Sequence, residues 1–202
     1  MRTLFKSVAC AAVVCFLTGL GSAQVLKSST TKSETVPFGA GSVLAVTGAP
    51  VGDISIGNST TNSIEIKATI EVQASNEKDL AGAMALTGFI IQETLGRVAV
   101  ISVGPDTRRK FSSDEKKLIG RLKGMPYRVD LSIGVPKYCS VDIDGGRGKI
   151  LVTGVEGRHR INGVDSDVTV GVSGLLSMTL AKGRAQIQLI PGQRLNGMEV
   201  SV

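Results

Sequence analysis

The chain has 202 residues, 42% apolar, 20% charged and 3% aromatic, with a net charge of +6. One histidine, with Cys139 the one cysteine beyond the first 23 residues, leaves too few ligands for a zinc centre, and the sparse aromatics leave little for stacking on bases. The expected product is a single domain with its own core.

Residues 1–23 read as a secretory signal peptide. Arg2 and Lys6 precede an apolar run, Val8 to Leu20, and Gly21-Ser22-Ala23 supplies the small residues of a cleavage site. The run is too short to cross a bilayer, which takes about 20 apolar residues. The rival reading is a lipoprotein signal at Cys10 or Cys15. Against it, Val14 is bulky for the position before Cys15, and Cys10 has little apolar sequence ahead of it. Cleavage after Ala23 removes Arg2 and Lys6, which leaves 21 basic against 17 acidic residues, a net of +4. It also leaves Cys139 without an internal disulfide partner. Two residues before Val141 on one strand face, Cys139 is expected as a buried thiol. The alternative is a reactive thiol or an intermolecular disulfide.

Residues 24–35 are rich in Ser, Thr and Lys and read as a flexible lead-in; 36–202 read as one β domain. Strands are predicted at Val43–Val46, Asp53–Ile56 and Ser63–Val72. In the last, Ile64, Ile66, Ala68, Ile70 and Val72 alternate with polar residues. Ser75-Asn76-Glu77-Lys78-Asp79 carries a cap and first-turn acids, which predicts a helix of about twelve residues ending at Gly88. Its Leu80, Ala83, Met84 and Thr87 share one side. Strands resume at Phe89–Gln92 and Arg97–Val103.

Residues 104–125 interrupt the strand pattern with a basic excursion. Arg108, Arg109, Lys110, Lys116, Lys117, Arg121 and Lys123 lie within sixteen positions, and Ser112-Ser113-Asp114-Glu115 fits a capping box. These seven residues are the candidate anion-binding set, suited to an envelope glycan or an anionic lipid. A short amphipathic helix here could lie on a membrane surface. The plainer reading is a solvated excursion with Phe111, Leu118 and Leu122 packed down. Nucleic acid is excluded as a partner, since the segment lacks stacking aromatics and the chain carries an export signal.

Tyr127–Val135 is again a strand, and a regular beat follows. Ile143, Val152, Ile161, Val170, Leu180 and Leu189 fall at spacings of 9, 9, 9, 10 and 9, with glycine corners between them. Val141/Ile143, Ile150/Val152, Val168/Val170, Met178/Leu180 and Ile187/Leu189 are assigned inward. Asp167/Thr169, Ser177/Thr179 and Gln186/Gln188 are assigned outward. One such strand cannot bury its apolar side alone, whereas stacked copies bury a continuous core. The predicted class is therefore all-β, a right-handed β-solenoid-like stack with one or two short helices. One turn should take about 18 to 20 residues, or two of the nine-residue steps. An antiparallel β-sandwich is the alternative, with similar spacing.

Gly52-Asp53-Ile54-Ser55-Ile56, Val141-Asp142-Ile143-Asp144-Gly145, Gly154-Val155-Glu156-Gly157 and Gly163-Val164-Asp165-Ser166 share a pattern of strand, glycine and polar corner. On these motifs the chain resembles a bacterial family of adhesin-like β-solenoid domains of unknown function, over most of 36–189. The resemblance implies an extracytoplasmic β-solenoid. The excursion is a departure from the family pattern.

No catalytic set is legible. His159 occupies the position of Val141, Ile150, Val168 and Ile187 in the repeat. It is expected as an inward or edge-lying histidine bonded to backbone, with flanking Arg158 and Arg160 facing out towards Asp167. Gly171-Val172-Ser173-Gly174 is one residue short of a nucleophile elbow. Gly145-Gly146-Arg147-Gly148 opens like a calcium repeat, but Ile150 stands where the ligand aspartate belongs. No cofactor or metal is expected, and the chain is read as a non-enzyme. Its partner is an envelope glycan, an anionic lipid or another protein.

Overall fold

The computed structural model describes residues 25–39, 41–107, 119–172, 174–189 and 195–202. The fold is all-β, with twelve strands among the described residues joined in one mixed sheet. In chain order these are β1 (Leu26–Pro37), β2 (Val43–Thr47), β3 (Ile54–Ser59), β4 (Ser63–Ala74), helix α1 (Glu77–Leu86), β5 (Gly88–Thr94), β6 (Arg97–Val103), β7 (Tyr127–Pro136), β8 (Ser140–Thr153), β9 (Gly157–Val172), β10 (Gly174–Leu180), β11 (Gly183–Leu189) and β12 (Leu195–Ser201).

The parallel part explains the nine-residue beat. β8 is long enough to serve two wings. Its first half pairs with β2, Leu44 opposite Val141, and its second half with β3, Ile54 opposite Ile150. β9 lies parallel along both halves of β8, with Val141 opposite His159 and Ile150 opposite Val168, eighteen residues on. β10 and β11 then stack on the two halves of β9, Leu176 opposite His159 and Ala185 opposite Val168, seventeen residues on. Each nine-residue step is thus half a coil. Because 140–189 pairs in parallel, the antiparallel sandwich is ruled out for that region.

The register lines apolar side chains into columns. Val98, Leu44, Val141, His159 and Leu176 make one; Val100, Val46, Ile143, Ile161 and Met178 make the next. On the other wing run Leu131, Ile54, Ile150 and Val168, then Ile133, Ile56, Val152 and Val170. All are buried, and all but His159 belong to one apolar core cluster, which also takes Cys139 and Leu122. Backbone satisfies backbone along every pair, so burial leaves few orphan amides.

The corners need glycine for a steric reason. At Gly148, φ is +144°, and an added Cβ would lie 2.3 Å from the Gly52 carbonyl oxygen. One coil later the same column holds Ser166, buried, whose hydroxyl donates to the Gly146 carbonyl at 2.8 Å.

The expectation of a plain stack is met only in part. β4 pairs antiparallel with β7 and with β1, and β5 pairs antiparallel with β6, so the upstream strands wrap the core as a mixed sheet. The described part of the segment 24–35 is not a flexible lead-in. Residues 26–37 pair with β4 along twelve positions as an edge strand. Its Ser, Thr and Lys side chains suit an exposed edge, where backbone pairing needs no apolar partner. The helix is capped by Asn76, whose Oδ1 accepts from the Asp79 amide at 2.9 Å, and it gives way at Thr87, so that Gly88 already begins β5. Ala83, Leu86 and Thr87 are buried, as the one-sided pattern requires.

One inward assignment and one expected pairing also change, while Asp167 stays outward as assigned. Leu189 is 61% exposed, because among the described residues β11 pairs with β9 alone and no further coil covers it. Asp167 lies opposite Lys149 and Arg184 on the second wing, whereas Arg158 and Arg160 occupy the first half of β9.

Candidate functional site

The basic excursion is only partly within the described residues. Arg108, Arg109, Lys110, Lys116 and Lys117 lie outside them, as do Phe111, Leu118, the capping box at 112–115 and residues 1–23. Its two ends are tied together, the Gly124 amide donating to Asp106 Oδ1 at 3.0 Å. Leu122, from the helical turn at 119–122, is fully buried. Arg121 does not stand free. Its Nε meets Asp79 Oδ1 at 2.7 Å, and Asp79 is itself held by the Asn76 side-chain amide at 2.7 Å. Arg121 and Lys123 line an open cleft of about 400 Å³ with Gln73, Ser75, Asp79 and Met125. The structure thus brings two of the seven residues to one cleft beside the start of α1.

A larger cleft, of about 660 Å³, lies at one end of the β1–β4–β7–β3 wing. Strand register puts it there. Pro37 pairs with Ser63 and Pro136 pairs with Ser59, so the ends of β1, β3 and β7 meet the start of β4. Phe38, 5% exposed, packs into the core beside it, and its amide donates to the Asn62 carbonyl at 3.2 Å. Tyr138 stands at the rim, 67% exposed. Lys137 Nζ lies 5.2 Å from the Tyr138 ring centre and 2.8 Å from Glu156 Oε1. That ion pair and the ring raise the Lys137 pKa, the Glu156 hydrogen bond first. Around the turn, the Thr61 hydroxyl lies 2.9 Å from both the Ser59 and Ser63 hydroxyls and donates to Glu65 Oε1 at 3.2 Å.

Sequence reasoning missed this cleft. Its residues come from three stretches far apart in the chain. The available signal was weak: a polar run, Asn58 to Asn62, between two strands, and a tyrosine just past a strand-ending proline.

The interior groups offer no open chemistry. Cys139 is 3% exposed, and burial pushes its thiol pKa up to about 11, which keeps it protonated and unreactive. His159 is fully buried, inward as expected. It is not bonded as expected: among the described residues neither ring nitrogen has a hydrogen-bond partner. Burial lowers its pKa, and the nearby Gly157 backbone opposes the shift without reaching bonding geometry. The folded state therefore holds histidine neutral while the unfolded chain binds a proton near pH 6.5. Its contribution is fully present above that value and is lost as pH falls through the lower folded pKa. His159→Leu should accordingly flatten the loss of melting temperature between pH 7 and pH 5 relative to the wild type. Parallel acid profiles for the two proteins would show that the histidine carries none of it.

The geometry defines an all-β protein with polar clefts on a columned β scaffold. No family model matches the chain, and no curated protein matches it. Among solved structures it is similar to a "putative cell adhesion protein" from Clostridium sporogenes, at 10% identity and a TM-score of 0.36, over 85% of this chain and 99% of that one. It is also similar to a "putative adhesin" from Parabacteroides distasonis, at 11% identity and a TM-score of 0.37, over 85% of this chain and 58% of that one. A "putative adhesin" from Parabacteroides merdae follows at 11% identity and 0.23, over 85% and 95%.

Proposed function

We propose that this is an exported, non-enzymatic envelope protein whose rigid β surface serves adhesion or contact with protein or glycan. The observation that carries the reading is the parallel register. Steps of seventeen and eighteen residues build a ribbed scaffold whose outward side chains stand in fixed columns, a surface suited to contact. The only histidine is sealed in the core and the one described cysteine is a buried thiol, so neither stands at a surface where a substrate could reach it. On this reading the parallel coils form a right-handed β-solenoid, the hand that parallel crossovers take. Residues 1–23 direct export to the periplasm or beyond. Mass spectrometry of the cell-envelope fraction should find a mature N-terminus at Gln24. Intact Met1, or a lipid-modified Cys10 or Cys15, would overturn the export reading.

The second reading is a periplasmic binding or sensor protein for an anionic glycan or lipid. It is favoured by the cleft that holds Arg121 and Lys123 at the root of the excursion. Exposed charges are screened beyond about 8–10 Å at physiological salt. Binding to anionic liposomes should therefore fall steeply with ionic strength. It should fall again when Arg108, Arg109 and Lys110 are replaced by Ser, with the melting temperature unchanged.

A further inference from the structure

We infer that the cleft at the end of the β1–β4–β7–β3 wing is a sugar site, in which an uncharged oligosaccharide stacks on Tyr138 and hydrogen-bonds to Asn58 and Asn62. The inference rests on the contact reading above and names the chemistry of one contact.

The first argument is the exposed ring. A tyrosine with 67% of its surface in solvent is a poor core residue and a good platform. One side of the ring is engaged by the Lys137 ammonium at 5.2 Å. The ring's negative face suits the weakly positive C–H groups of a pyranose as it suits a cation. An uncharged ring of the sugar kind fits where a second cation would meet Lys137.

The second argument is the supply of hydrogen bonds. Asn58 and Asn62 are exposed in the cleft, and neither side-chain amide is engaged with another described residue. Each amide offers two donors and an acceptor, the pairing that adjacent sugar hydroxyls or an acetamido group can satisfy. The hydroxyls of Ser59, Thr61 and Ser63 are held in a chain that ends on Glu65. That chain stiffens the turn carrying both asparagines, so less freedom is lost on binding.

The third argument is charge. The cleft's one cation, Lys137, is neutralised by Glu156 at 2.8 Å, and Glu65 is occupied by the hydroxyl chain. Nothing there selects an anion, in contrast to the cleft beside Arg121. The volume of about 660 Å³ falls inside the roughly 300–1,000 Å³ typical of small-ligand sites.

The test uses the mature protein, Gln24 to Val202, and two uncharged probes, cellotriose and triacetylchitotriose, by isothermal titration calorimetry. At least one probe should bind at millimolar or lower concentration, with an affinity independent of salt. Tyr138→Ala should weaken it about tenfold or more, and Asn58→Ala with Asn62→Ala should also weaken it. Tyr138→Phe, which keeps the ring, should stay within about threefold of the wild type. All three positions are exposed, so melting temperatures should be unchanged. No heat with either probe overturns the inference, as does binding that survives Tyr138→Ala. A parallel arm measures retention on isolated envelope material. Retention that persists in Tyr138→Ala overturns the sugar site and leaves the contact reading standing. Absence of retention in the wild type overturns the contact reading itself.

Discussion

Val168→Asp is expected to cost roughly 3–5 kcal/mol, while Thr169→Asp, one residue away, stays within about 0.5 kcal/mol. Val168 is 1% exposed and sits in the column of Leu131, Ile54 and Ile150, with no described polar group placed to receive a carboxylate. A lone buried charge has neither water nor partner, so it destabilises by its full desolvation. Thr169 points the other way, between Leu151 and Gln186 on the outer face, where a carboxylate keeps its water. For a domain whose total stability is about 5–15 kcal/mol, the first change approaches unfolding. The melting temperature should fall on the order of 10 °C for the first variant and barely move for the second. Equal losses would mean that the inward and outward faces of β9 are misassigned.

Gly148→Ala should be strongly destabilising, because the added methyl would strike backbone of the neighbouring coil. The φ of +144° is one that L side chains rarely adopt, and the new Cβ would lie 2.3 Å from the Gly52 oxygen and 2.8 Å from its carbonyl carbon. Backbone on the neighbouring coil cannot rotate aside as a side chain can. Relief requires β3 and β8 to part locally, which breaks pairing at Ile54 and Ile150. The expected loss is at least about 2 kcal/mol, the strain of a forced conformation plus the pairing. Gly57→Ala is the matched control, since its Cβ would meet nothing within 4 Å. It should be neutral or slightly stabilising through the unfolded chain. Denaturant midpoints of the two variants decide the matter, and a Gly148→Ala protein as stable as the control would refute the close corner.

Much of this architecture was written locally. The alternation from Ile64 to Val72 marks β4 because each apolar residue has to reach the same side of a pleat. The nine-residue beat marks half-coils because each corner glycine resets the chain for the next column. β1 was hidden for the converse reason. An edge strand is held by main-chain bonds to β4, and its Ser-Ser-Thr-Thr-Lys-Ser run carries no apolar period to read. The pairing of β2 with β6 and of β3 with β7 was also invisible. Parallel partners some 50 to 80 residues apart are chosen by the whole column, not by any local motif. The candidate site divides the same way. A cluster of seven cations is legible as charge, but the Asp79 partner of Arg121 is set by where α1 docks. The Tyr138 cleft exists only once three strand ends converge.

The register itself constrains how such a chain can change in length. Each coil presents four apolar columns to the next, so a duplicated coil meets a matching template on both sides. Gain or loss of a full coil leaves every other side chain facing as before. A change of nine residues would send all downstream strands to the opposite wing, with cysteine, histidine and corner glycines out of place. A change of one residue has to be absorbed at a corner. The stack contains such an event: β8 to β9 advances by eighteen residues and β9 to β10 by seventeen, with the columns unbroken. Length changes that preserve the columns are therefore expected in whole coils, with single-residue differences absorbed at the glycine corners.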